Sequence, residues 1–180
     1  MSDEPSREAS APVIRPERSA DAARIRAVNL SAFEGPEEAD IVDRLRAAGV
    51  TQLSLVAEIG EELVGHILFS EVTVGEGEAA KGMGLAPMAV LPAYQRCGVG
   101  SALVRRGVEI LRAQRCPFVV VLGHPSYYPR FGFVPATRHG LRSEYDGVPD
   151  EAFMVLELAP GGLDGVTGVV RYRPEFGPAG

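Results

Sequence analysis

A mixed α/β fold is what this sequence predicts, and three observations predict it. Two helical segments stand first, a β-branched hairpin follows, and a buried strand then runs through a glycine pair into an amphipathic helix. Residues 85–112 organise the rest. Leu85 to Leu91 is an apolar run of strand length, Pro92 closes it, and Gly98 and Gly100 precede Leu103, Val104, Val108 and Leu111 at helical spacing.

In chain order, residues 1–11 are polar and acidic without periodicity and read as a disordered tail. Residues 12–180 read as one domain, long enough to bury a sizeable core. Val13–Pro16 reads as a short strand. Ser19 or Asp21 caps a helix whose stripe is Ala22, Ile25, Val28 and Phe33, and Gly35-Pro36 breaks it. The acidic start Glu37, Glu38, Asp40 suits the dipole of a second helix, with Ile41, Leu45 and Ala48 inward and Gly49 at its end. Gln52–Ile59 and Leu63–Val74 pair as a hairpin across Gly60-Glu61-Glu62. Gly75 to Gly84 reads as a polar loop. After the central helix come strand Phe118–Leu122, a short helix over Pro125–Arg130, a strand from Phe133-Val134 and another over Ala152–Leu158. Val169–Tyr172 reads as an edge strand or a cover over the core.

Composition narrows the function. With 46% hydrophobic and 23% charged residues the chain has the balance of a soluble globular protein. No apolar run reaches the length of a membrane span and the N-terminus lacks a signal h-region, so a cytoplasmic location is expected, with no membrane partner. Cys97 and Cys116 are too few for a disulfide scaffold or a closed zinc site, and His66, His124 and His139 lack ligand spacing, so no metal is expected. The net charge of −6 argues against nucleic-acid binding. It is unevenly spread: from Lys81 to Arg142 there are nine cations and one acid, Glu109, and both flanks are acidic.

That cationic block holds the glycine pair. A strand that delivers glycines to a helix start presents free backbone N–H groups to a phosphate. A dinucleotide fingerprint would need a third glycine where Leu103 stands, and there is no Gly-Lys-Ser/Thr of a mononucleotide loop. Gln95-x-x-Gly98-x-Gly100 instead resembles the pyrophosphate loop of the GNAT N-acyltransferases. The resemblance continues to Tyr128-x-x-x-Gly132-Phe133 and covers roughly residues 12–160. The Tyr127–Phe133 string and the closing Pro174-Glu175-Phe176 are similar to the YhbS-type predicted acetyltransferase branch.

The resemblance implies a mostly antiparallel, twisted sheet, splayed at the cofactor site and flanked by helices. It implies an N-acetyltransferase that takes acetyl-CoA as cosubstrate and a small-molecule or peptide amine as acceptor. Met88, Ala89 and Val90 would meet the pantetheine arm and the thioester. Gln95, Arg96, Cys97, Gly98, Val99, Gly100 and Ser101 would hold the pyrophosphate. Tyr128 would protonate the departing thiolate, with Tyr127 its neighbouring competitor. Strand Leu85–Val90 carries no acid to act as base, which leaves Glu71, His124 or a water relay; the same gap suits a CoA-binding module without turnover. Cys97 reads as incidental and Cys116 as core. Proteins of this kind often form homodimers through their last strands.

Overall fold

A computed structural model describes residues 10–50 and 52–177. The tail expected over residues 1–11 falls mostly outside them; Ser10 and Ala11 precede the first strand without regular structure. The elements are β1 (Val13–Pro16), α1 (Ala22–Ala32), α2 (Glu37–Ala48), β2 (Gln52–Ile59), β3 (Glu62–Val74), β4 (Ala80–Val90), α3 (Val99–Ala113), β5 (Phe118–Leu122), β6 (Val134–Pro135), β7 (Leu141–Ser143), β8 (Phe153–Glu157) and β9 (Gly168–Arg171). They form one mixed sheet in the order β1-β2-β3-β4-β5-β8-β6, with β9 joined to β3 and β7. Among the described residues only the β4/β5 and β7/β9 pairs are parallel.

Helices cover both faces. The α3 residues Val99, Leu103, Val104 and Leu111 pack on Leu55, Ile67, Phe69 and Val121. On the other face Ile25 and Val28 of α1 and Val42 and Leu45 of α2 pack on Val56, Leu63, Leu68 and Ala89. The apolar period of α3 and the strand alternation thus agree on one arrangement.

The structure corrects several expected boundaries. The loop expected to end at Gly84 stops at Ala79, because β4 already pairs with β3 from Ala80 onward. Gly82 and Gly84 are strand glycines under aromatic rings. A Cβ at Gly82 would lie 2.4 Å from Phe118, and one at Gly84 2.7 Å from the Tyr172 ring. Helix α3 begins at Val99, before Ser101, capped by Gly98 in the left-handed region at φ 85°. The short helix expected at Pro125–Arg130 is a 3₁₀ turn over Tyr128–Phe131. Residues 168–171 do more than cover the core: they are hydrogen-bonded sheet.

Two polar clusters fix α1, whose end reaches the site described below. Asp21, 1% exposed, accepts from Arg15 at 2.7 Å and from Arg24 at 2.6 Å, and Arg15 also binds Glu58 at 2.6 Å. The Arg15 guanidinium holds the Asp21 carboxyl well below the usual carboxylate range, against the opposing cost of burial. Asp21→Asn is expected to cost about 3 kcal/mol in a urea melt, the cost of leaving a buried cation short of its partner. Because the folded-state pKa is depressed, this stabilisation is whole above the unfolded value near 3.9 and is lost as pH falls below it.

The second cluster is centred on fully buried His66. Burial, and then the nearby Arg46 charge, lower its pKa to about 3, so the ring is neutral. Asn29 Nδ2 donates to Ile25 O at 3.0 Å, which sets its amide orientation, and also meets His66 Nδ1 at 3.2 Å. The remaining ring N–H is then on Nε2 and donates to Ser54 Oγ at 2.9 Å, while Ser54 donates to Glu17. His66 is a structural tie between α1 and the sheet.

Candidate active site

The site opens where two parallel strands stop pairing. β4 and β5 are in register from Met83/Val119 to Leu85/Val121 only, yet β4 runs on to Val90 and β5 to Leu122. A bulge starts at the same point: on the β3 side the register jumps from Leu85/Phe69 to Met88/Ile67, leaving Ala86 and Pro87 opposite Leu68. The strands diverge around a cleft of about 1030 Å³. Leu85, Pro87, Met88 and Val90 line one side, and Leu122, Gly123 and His124 the other.

The bulge decides which backbone groups face the cleft. Leu91 N–H donates to Val64 O at 2.9 Å across the β3 side, so by alternation Ala89 also turns its peptide groups toward β3. Met88 and Val90 hold the free edge, and Val90 O accepts from Gln95 Nε2 at 3.0 Å. Ala89 is 1% exposed under α1 and lies outside the cleft.

At the far end of β4 the chain turns into α3. The first helical bond is Ala102 N–H to Gly98 O at 3.0 Å, so the N–H groups of Val99, Gly100 and Ser101 precede the helical ladder. Arg96 at φ 61° and Gly98 at φ 85° both take the left-handed conformation, which curls the loop around the helix start. The side chains of Gln95, Arg96 and Ser101 line the cleft together with Gly98 and Gly100. Val99 is core, and exposed Cys97 turns its Sγ to Gln95 O at 3.4 Å. Cationic side chains cluster nearby: Arg130 stacks 4.5 Å over the Tyr127 ring and Arg105 5.5 Å over Phe131.

Tyr127 and Tyr128 both line the cleft but differ in setting. The Tyr127 hydroxyl lies 3.3 Å from Ser101 Oγ, at the helix start. Tyr128, 7% exposed, meets Tyr127 and Phe133 edge-on at 5.1 and 5.6 Å, and its ring fills the space beside Gly123. Burial raises the Tyr128 phenol above its ordinary value, and the neighbouring Tyr127 adds to the shift.

Residues 22–133 match the family described as Acetyltransferase (GNAT) family. The chain belongs to the GNAT acetyltransferases. It is 40% identical over 165 residues to the uncharacterized N-acetyltransferase YhbS of Escherichia coli, covering 91% of this chain and 98% of that one. It is 44% identical over 135 residues to the uncharacterized N-acetyltransferase YjhQ of the same species, covering 73% of this chain and 74% of that one. The crystal structure of Escherichia coli YhbS in complex with CoA superposes with a TM-score of 0.88 at 39% identity over 94% of both chains. A GNAT family acetyltransferase from Brucella melitensis in complex with acetyl-CoA gives 0.77 at 40% identity, covering 92% of this chain and 98% of that one.

In this GNAT acetyltransferase the expected bases separate. Glu71 is outside the cleft, paired with Lys81 at 3.1 Å on the outer part of β3. His124 is inside it. Sequence reasoning missed the contributors from α1, α2 and the C-terminal segment: Phe33, Glu38, Ile41 and Phe176 complete the cleft. Phe33, Glu38 and Ile41 sit in no motif, and Pro174-Glu175-Phe176 does not by its spacing reveal a place at the cleft; only tertiary packing brings them there. Among the described residues no His/Cys/Asp/Glu group could hold a metal, and no helix is long and apolar enough to cross a membrane.

Proposed function

We propose that this chain transfers the acetyl group of acetyl-CoA to a primary amine by direct attack in a ternary complex. The observation that carries the proposal is the splayed β4/β5 cleft ending on the unladdered N–H groups of α3. The pyrophosphate would rest on the amides of Val99, Gly100 and Ser101, where the helix dipole favours an anion, with Arg96 and Arg130 adding charge. The pantetheine arm would lie along the free edge of β4 at Met88 and Val90, as an added strand. The Met88 N–H, on that edge, would polarise the thioester carbonyl.

The amine nitrogen attacks the thioester carbon and the C–S bond then breaks, leaving a thiolate. Tyr128 donates its proton to the sulfur, and the nitrogen's proton leaves to His124 or to water. A raised phenol pKa keeps Tyr128 protonated through the neutral and mildly alkaline range. The group that must be protonated for turnover loses its proton only above its own pKa. No alkaline fall in kcat is therefore expected between pH 7 and about 10, the ordinary tyrosine value; a fall centred below pH 9 would exclude this role. Free Cys97 and Cys116 suit a reducing, cytoplasmic setting.

The test is release of CoA thiol with a library of primary amines, with the amide product identified by mass spectrometry. Direct attack predicts no acetyl adduct on the protein after acetyl-CoA alone. An adduct that disappears in Cys97→Ser would instead establish an acyl-enzyme route.

A further inference from the structure

The cleft has two chemically unlike ends. At the α3 end stand backbone donors, Arg96 and Arg130. At the other end Phe33, Ile41, Pro87 and Phe176 form apolar walls around one carboxylate, Glu38, the only acid among the described residues that line the cleft. We infer that Glu38 determines acceptor specificity, receiving the ammonium of a primary amine carried on an apolar group of about phenyl size. This rests on the transferase reading above and names its substrate class.

Three observations support it. First, the Glu38 side chain makes no ion pair or hydrogen bond among the described residues, like its neighbour Glu37 and unlike Asp40, Asp43 and Glu175. Asp40 and Asp43 hold Arg26 at 2.9 and 2.6 Å, Asp43 also binds Arg46, and Glu175 binds Arg173 at 3.1 Å. A half-buried carboxylate between apolar walls has lost part of its hydration, and a ligand cation restores it through a charge-assisted hydrogen bond. Second, the walls are anchored. Phe176 packs on Tyr172 at 5.3 Å, and Arg44 of α2 donates to Glu175 O at 3.0 Å, tying the C-terminal segment to the helix that carries Glu38. Phe33 and Phe176 also line the cleft, and aromatic rings favour a nearby cation. Third, the polarity along the cleft separates the substrates, with a polyanion drawn to α3 and a cation to α2.

Glu38 also sits in the first turn of α2, where any acid suits the helix dipole. Glu37 shares that position in the helix without lining the cleft, and it supplies the control. Pairing with Glu38 favours the ammonium form, and attack needs the neutral amine. The bound ammonium first gives a proton to water, and the freed nitrogen then attacks the thioester. Glu38 therefore acts in binding and not as the base, which predicts an effect on KM and not on kcat.

The experiment measures acetyl-CoA-dependent CoA release with 2-phenylethylamine and with L-glutamate as acceptors, for the wild-type chain, Glu38→Gln, Glu38→Asp and Glu37→Gln. Turnover of 2-phenylethylamine and not of glutamate is expected. Glu38→Gln should raise the KM for 2-phenylethylamine at least tenfold with kcat within twofold, Glu38→Asp should recover part of it, and Glu37→Gln should match wild type. Preference for glutamate, no turnover of 2-phenylethylamine, an equal loss in Glu37→Gln, or a loss confined to kcat would each overturn the inference. Calorimetric binding of acetyl-CoA to each variant separates this outcome from failure of the cofactor reading: bound acetyl-CoA with the wrong acceptor profile refutes only the acceptor class.

Discussion

Gly100→Asp is expected to weaken acetyl-CoA binding by more than 100-fold. A Cβ at Gly100 would point into the cleft, 3.0 Å from the Tyr127 hydroxyl and 3.5 Å from Met88 Cε. A carboxylate there enters the space between β4 and the helix start, where the proposed pyrophosphate would rest, and would set like charges against each other. An unmet ionic contact of this kind is worth about 3 kcal/mol or more. The same substitution places an acid in the first turn of α3, which the helix dipole favours, so the thermal stability of the unliganded protein is expected to hold or rise slightly. Calorimetric titration together with a thermal melt therefore separates a lost site from a lost fold. A dissociation constant within a few-fold of wild type would refute the assignment of this loop.

The second large effect falls on chemistry. Tyr128→Phe is expected to lower kcat about 100-fold or more while leaving the dissociation constant of acetyl-CoA unchanged. The substitution keeps the ring, and with it the edge contact to Phe133 and the fill beside Gly123, so packing survives. Only the hydroxyl, the proposed proton donor, is removed. Tyr127→Phe makes the contrasting variant. Its hydroxyl is close to Ser101 Oγ at the helix start, so its loss is expected to appear in acetyl-CoA affinity, with kcat little altered. If the two variants exchange these phenotypes, Tyr127 is the acid and Tyr128 is a packing residue.

Elements whose pattern is local were legible in the sequence. The stripe of Leu103, Val104, Val108 and Leu111 marks α3, and the β-branched runs mark β2, β3 and β5. Gly98 and Gly100 were legible as a turn into a helix start because their positions follow from chain order alone. The first half of β4 was hidden because Gly82 and Gly84 look like loop residues. They are glycines because the Phe118 and Tyr172 rings, distant in sequence, occupy the space of a side chain.

The facing of Ala89 was hidden by the bulge. Plain alternation from Leu85 puts Ala89 on the α3 face and Met88 on the other. Two residues opposite Leu68 reverse that parity, so Met88 and Val90 join Leu85 on the α3 side. Glu38 was legible only as a helix-start acid. Its place in the cleft depends on how α1, α2 and Phe176 converge at the end of β4, which no short spacing encodes.

The most direct test of the central claim is calorimetric titration of the wild-type chain with acetyl-CoA, with desulfo-CoA and ADP as comparisons. The geometry predicts a single site that takes acetyl-CoA and desulfo-CoA comparably. In the proposed placement the pantetheine lies along β4 and the pyrophosphate at the start of α3, and ADP lacks the pantetheine, so ADP should bind more weakly. No heat of binding at high micromolar acetyl-CoA, in a protein that melts cooperatively, would contradict the placement of the cosubstrate between β4 and β5.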